Sequence, residues 1–101
     1  MDARNSYNLT LSINGRVLRR IIIDQHYALK HKDINDALIL QLLRTLNHET
    51  FNIDIKKGEF EYFVIEPVTF ENKDFRLVLV ISKHEDYLGV VNAFRVKRKK
   101  L

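Results

Sequence analysis

Phe75-Arg76-Leu77-Val78-Leu79-Val80-Ile81, then Ser82-Lys83-His84-Glu85-Asp86, then Tyr87-Leu88-Gly89-Val90-Val91-Asn92-Ala93-Phe94-Arg95-Val96: this segment decides how the chain folds. Two apolar runs around a short polar break predict a β-hairpin. Neither run alternates cleanly, so both faces are expected to be covered and the pair belongs in the middle of a sheet. Arg76, Asn92 and Arg95 interrupt the runs, and polar groups in a central hairpin must be paired or serve a site. By strand alternation Arg76 shares a face with Val78 and Val80, Arg95 with Val91 and Ala93, and Asn92 with Val90 and Phe94. Whether Arg76 and Arg95 share a sheet face depends on the hairpin register, which a one-residue slip reverses.

Working outward, Tyr7, Leu9, Leu11 and Ile13 alternate with polar residues and predict a strand with one buried face. Asn14-Gly15 suits a type I′ turn, where both positions need positive φ. Arg16–Ile23 then returns as the partner strand. Asp24 is placed to cap a short helix through His26, Tyr27, Leu29 and His31. A second helix is expected from about Ile34 to Leu46, capped by Asp33 or Asn35, with Ile34, Leu38, Leu42 and Thr45 or Leu46 on one face. Phe51–Lys57 reads as a short edge strand or an ordered loop. Glu59–Ile65 is a strand, and Pro67 marks its end or an edge because it cannot donate to a ladder. Val68–Phe70 continues as a short strand, and Glu71-Asn72-Lys73-Asp74 is a turn. The order predicts an α+β fold: an N-terminal β-hairpin, two helices, then an antiparallel meander of three to four strands, with the helices on one sheet face.

The 101 residues suit a single domain, 1–101, ending in a basic tail over 97–101. The chain has no cysteine, which excludes disulfides and thiolate metal sites. The start lacks the apolar core of a signal peptide, and no apolar run approaches the ~20 residues of a membrane span. A cytoplasmic protein with no membrane partner is the expectation. The net charge of +4 is unevenly placed. Arg16, Arg19 and Arg20 form an early basic group, and Arg95, Lys97, Arg98, Lys99 and Lys100 a late one. If the two ends meet, they make a patch able to attract phosphate; otherwise the tail is a solvated charge run.

His26 and His31 are five residues apart, about 140° around a helix axis, and so do not share a face as a metal-binding pair does. No metal or other cofactor is expected. His26 at a helix start is suited to be a general acid or base, or to be tied to a nearby carbonyl at the corner. Arginine offers a fixed cation with a fork of donors, so Arg76 and Arg95 suit a phosphate, but Arg76 suits equally a cross-sheet pair with Glu61 or Glu66. Asn92 is either a site residue or a buried amide at a strand bend. Tyr62 offers a phenol and a stacking surface, or belongs to the core. The serines lack a neighbouring base, and no glycine-rich phosphate loop is present.

Two stretches, Ile21-Ile22-Ile23-Asp24-Gln25-His26-Tyr27 running into Lys30-His31, and the terminal pair of runs from Phe75 to Arg95, with the helices before the meander, resemble small RelE-type proteins. That group sits within a wider set of metal-independent ribonuclease folds that includes barnase and colicin D. The resemblance implies a toxin of a toxin–antitoxin pair, which cleaves RNA by attack of a 2′-hydroxyl on its own phosphate and has an antitoxin as partner. On that basis His26 is the base or acid, and Arg76 and Arg95 hold the phosphate. Tyr62, Asn92, Lys97 and Arg98 contact the RNA. The chain departs from the RelE pattern in its extra first hairpin and in Glu59, Glu61 and Glu66, which stand where basic strands are expected. The alternative is a non-catalytic module that binds nucleic acid through its basic ends, or a protein through a sheet edge or its acidic middle, as an antitoxin or immunity protein does.

Overall fold

Asn14 and Gly15 turn the chain back at φ 55° and 74°, the positive values a type I′ turn requires, and so create the first hairpin. A computed structural model describes residues 3–97. Its elements are β1 (Arg4–Ile13), β2 (Arg16–Asp24), α1 (Tyr27–Lys30), α2 (Asp36–Arg44), β3 (Ile55–Lys57), β4 (Phe60–Phe70), β5 (Lys73–Ser82) and β6 (Tyr87–Val96). All six strands form one sheet in the order β1-β2-β6-β5-β4-β3. The β5–β6 pair lies at its centre. Every pairing is antiparallel except β2 with β6, which is parallel.

That parallel joint overturns the expected fold class. The first hairpin does not stand apart from the meander; it extends the meander's sheet to six mixed strands. Strand makes up 57% and helix only 14% of the described residues, so this is a mostly-β, single-sheet architecture and not the helices-on-sheet α+β arrangement with a long meander. The joint also forces the chain between β2 and β3 to cross from one side of the sheet to the far edge. The crossing segment is largely irregular. Its helices have four and nine residues, too few to form a layer of their own.

Side chains from the crossing segment complete a single core with one face of the sheet. Tyr27, Ile34, Ile39, Leu42, Leu43 and Leu46 are buried there. Ile34, Leu42 and Leu46 are buried on the α2 side as expected, but Ile39 and Leu43 are fully buried in place of Leu38, which is only partly so. Asn35 is the cap, its Oδ1 accepting the Leu38 amide at 2.8 Å, and Asp33 is not. Asn35→Ala is therefore expected to lower stability by about 1 kcal/mol, measured by urea denaturation. Pro67 sits inside one continuous β4, at the irregularity between Ile65 and Val68, where its missing N–H interrupts no ladder bond.

One polar cluster fastens the hairpin to the helices. The Asp36 carboxylate, in the first turn of α2, accepts from Tyr7 Oη at 2.5 Å, Tyr27 Oη at 2.5 Å, Asn5 Nδ2 at 2.8 Å and Gln25 Nε2 at 3.1 Å. Partial burial pushes the Asp36 carboxyl up, but the hydrogen bonds from Tyr27, Tyr7, Asn5 and Gln25 outweigh it and hold the group below the usual aspartate value. Burial, then the bond to Asp36, push the Tyr27 phenol well above its ordinary value. The bond to Asp36 raises Tyr7 as well.

Candidate functional site

Among the described residues no layer covers the second face of the sheet, and its centre is apolar. Register aligns Tyr62 of β4, Val80 of β5, Gly89 of β6 and Ile22 of β2 in one row across four strands. Phe60 and Tyr87 flank the row, and Val91 is 38% exposed beside it. Together they line an open groove of about 370 Å³, within the range of small-ligand clefts. Gly89 makes the floor. A Cβ at this position would lie 2.6 Å from Val80 Cγ1, so any side chain would collide with a stiff, β-branched neighbour and fill the depression. Arg4 and Asp24, register partners on β1 and β2, line the groove on that side, and Arg20 stands level with Tyr87.

Further along β6 the same face carries a stacked group. His31 stacks on Phe94 with ring centroids 5.2 Å apart. The Arg76 guanidinium lies 5.7 Å from the Phe94 centroid, and its Nη1 is 3.4 Å from Glu66 Oε2. Arg76 Nε is buried and has no hydrogen-bond partner.

The β5–β6 register separates the candidate phosphate ligands. Leu79 pairs with Val90, but Val78 pairs with Asn92, which leaves Val91 as an extra residue in a bulge. The bulge reverses the alternation beyond it. Arg76 pairs with Phe94, so Arg95 points to the opposite face, where it lines a cavity of about 140 Å³ with Asp33, Leu38 and Phe70. Val91 and Arg95 therefore do not share a face, nor do Val90 and Asn92. Without the extra residue, Arg95 would have fallen on the face of Arg76.

The other candidates are dispersed. His26 is 81% exposed; its amide donates to Asp24 Oδ1 at 2.9 Å, and its Nδ1 is 3.7 Å from the same oxygen. Asn92 is at the bulge, where its Oδ1 accepts the Ala93 amide at 2.9 Å. Arg76 has the ion pair with Glu66 that cross-sheet pairing offered. Tyr62 lines the groove, Lys97 is exposed beyond the end of β6, and Arg98 lies outside the described residues. The described residues of the two basic groups stand apart. Arg20 is level with Tyr87, and Arg95 follows eight residues later on β6, about 26 Å along the strand.

Phe60, Tyr87, Gly89 and Ile22 were not among the sequence candidates. Their signal was the failure of the strands to alternate, taken as coverage of both faces; the chain covers one. Among the described residues no group of three His, Asp or Glu side chains is placed to hold a metal ion, and no helix is long and apolar enough to cross a membrane. Comparisons with family models, curated proteins and solved structures give no match.

Proposed function

We propose that this chain is a non-catalytic domain that binds single-stranded nucleic acid on the open face of its sheet. The observation that carries this reading is the groove walled by Phe60, Tyr62 and Tyr87 over the Gly89 floor. Every base has an apolar π-face, and aromatic side chains on an uncovered sheet are a general platform for it. Arg20 at the Tyr87 end of the groove and Arg4 towards its Val91 end supply cations for the phosphates. The nearby acids have protein partners: Glu66 faces Arg76, and Asp24 accepts from His26. The ribonuclease reading needs His26, Arg76 and Arg95 around one phosphate. The placement of the two arginines on opposite faces favours binding over cleavage.

The test is fluorescence anisotropy with labelled oligonucleotides of RNA and DNA, run at several salt concentrations. Affinity is expected to fall as salt rises, because phosphate contacts release counterions. Tyr62→Ala is expected to weaken binding roughly tenfold, the loss of one stacking surface. Running the same RNA on a denaturing gel examines cleavage. An intact oligonucleotide is expected; fragments lost in His26→Ala would restore the ribonuclease reading. No binding of either nucleic acid would remove the proposal.

A further inference from the structure

The two edges of the sheet are built differently. The β3 edge is three residues long, and two of them, Lys56 and Lys57, are lysines. Short length and lysines are the usual protection of an edge against strand addition. The β1 edge is ten residues long and has no charged residue from Asn5 to Ile13. Its far end is closed from within: the Ser12 amide donates to Asn47 Oδ1 at 2.8 Å, and the Ser12 carbonyl accepts the His48 amide at 2.7 Å. Nearer the start the Ala3 carbonyl accepts the Gln25 amide on the β2 side. Strand alternation then turns the N–H and C=O of Ser6 and Asn8 outward, where β1 has no strand neighbour among the described residues.

We infer that a second copy of this chain pairs its own β1 with this edge, antiparallel about a two-fold axis, joining two sheets into one of twelve strands. Antiparallel pairing about a two-fold lets the same residues match themselves, so every copy brings a fitting partner. Charge points the same way. Two chains of net charge +4 repel over most approaches, but an edge uncharged from Asn5 to Ile13 brings no cation against another there. The side chains of Ser6, Asn8 and Thr10 supply neutral hydrogen-bonding groups along the joint. The pairing would also place two open grooves on one continuous face, with their β6 floors five strand spacings, about 24 Å, apart. A single strand reaching both would then bind by avidity. That consequence rests on the nucleic-acid reading; the pairing itself does not.

The experiment is sedimentation equilibrium of the full chain without nucleic acid, over a hundredfold concentration range. A monomer–dimer equilibrium is expected. Ser6→Lys and Asn8→Lys, which put cations near one another across the axis, are each expected to raise the dimer dissociation constant about tenfold or more. Lys56→Ser at the other edge is expected to leave it unchanged. Circular dichroism of each variant establishes that the fold is retained. A chain that stays monomeric throughout, or a dimer indifferent to both lysines, overturns the inference. A dimer that binds no oligonucleotide keeps it and removes the nucleic-acid reading; a monomer that binds one does the reverse.

Discussion

Asp36→Ala is expected to lower stability by about 3 kcal/mol, a drop in melting midpoint of roughly 15 °C. Four side chains from β1, the β2–α1 corner and α1 donate to this one carboxylate. Without it the Tyr27 hydroxyl, on a residue only 3% exposed, keeps its desolvation cost and loses its acceptor. The first hairpin and the start of α2 also lose their common anchor. The effect carries a pH signature. Asp36 has a lowered pKa in the folded state, so its stabilisation is present above the unfolded value, near 3.9, and is lost as the pH falls through the folded value. Tyr27 has a raised pKa, so its contribution is present below pH 10 and is lost as the pH rises through the folded value. Thermal melts between pH 2 and 5 are expected to show a shallower acid limb in Asp36→Asn than in the parent chain. Tyr27→Phe is expected to flatten the alkaline limb instead. Unchanged limbs in both variants would mean that the cluster contributes little.

What was legible in the sequence was local. Asn14-Gly15 announced its turn because only a few residues tolerate positive φ at two successive positions. The polar break at Ser82–Asp86, between two apolar runs, announced the central hairpin. The parallel joint of β2 with β6 was not legible, because it links Arg20 to Tyr87 across most of the chain and no local pattern encodes such a pairing. That one contact changed the fold class. The single extra residue at Val91 was equally silent, since Val90-Val91 reads as plain strand; yet it decides which face Arg95 takes. The candidate site was half visible. Tyr62 stood out as an aromatic in a strand, while Gly89 acquires its role only when Val80 is seen pressed against it.

Gly89→Val should be the most damaging single change at the groove, at about 3 kcal/mol of stability, with loss of oligonucleotide binding in the molecules that still fold. The reason is the 2.6 Å approach of Val80 Cγ1 to any added Cβ. Both residues lie on central strands, where backbone shifts to relieve the overlap would disturb pairing on each side. The cause can be isolated with a double-mutant cycle. Val80→Ala removes the colliding methyl, so Gly89→Ala with Val80→Ala should be less destabilised than the two single changes added together. Strict additivity would place the damage elsewhere.

Methyl resonances of isoleucine, leucine and valine, followed by NMR during titration with a single-stranded oligonucleotide, separate the two sheet faces. Binding on the open face predicts shifts at Ile22, Val80 and Val91, with little change at Leu77 and Leu79 on the buried side of the same strands. Shifts confined to Leu38 and the surroundings of Arg95, or none at all with saturating oligonucleotide, would contradict it.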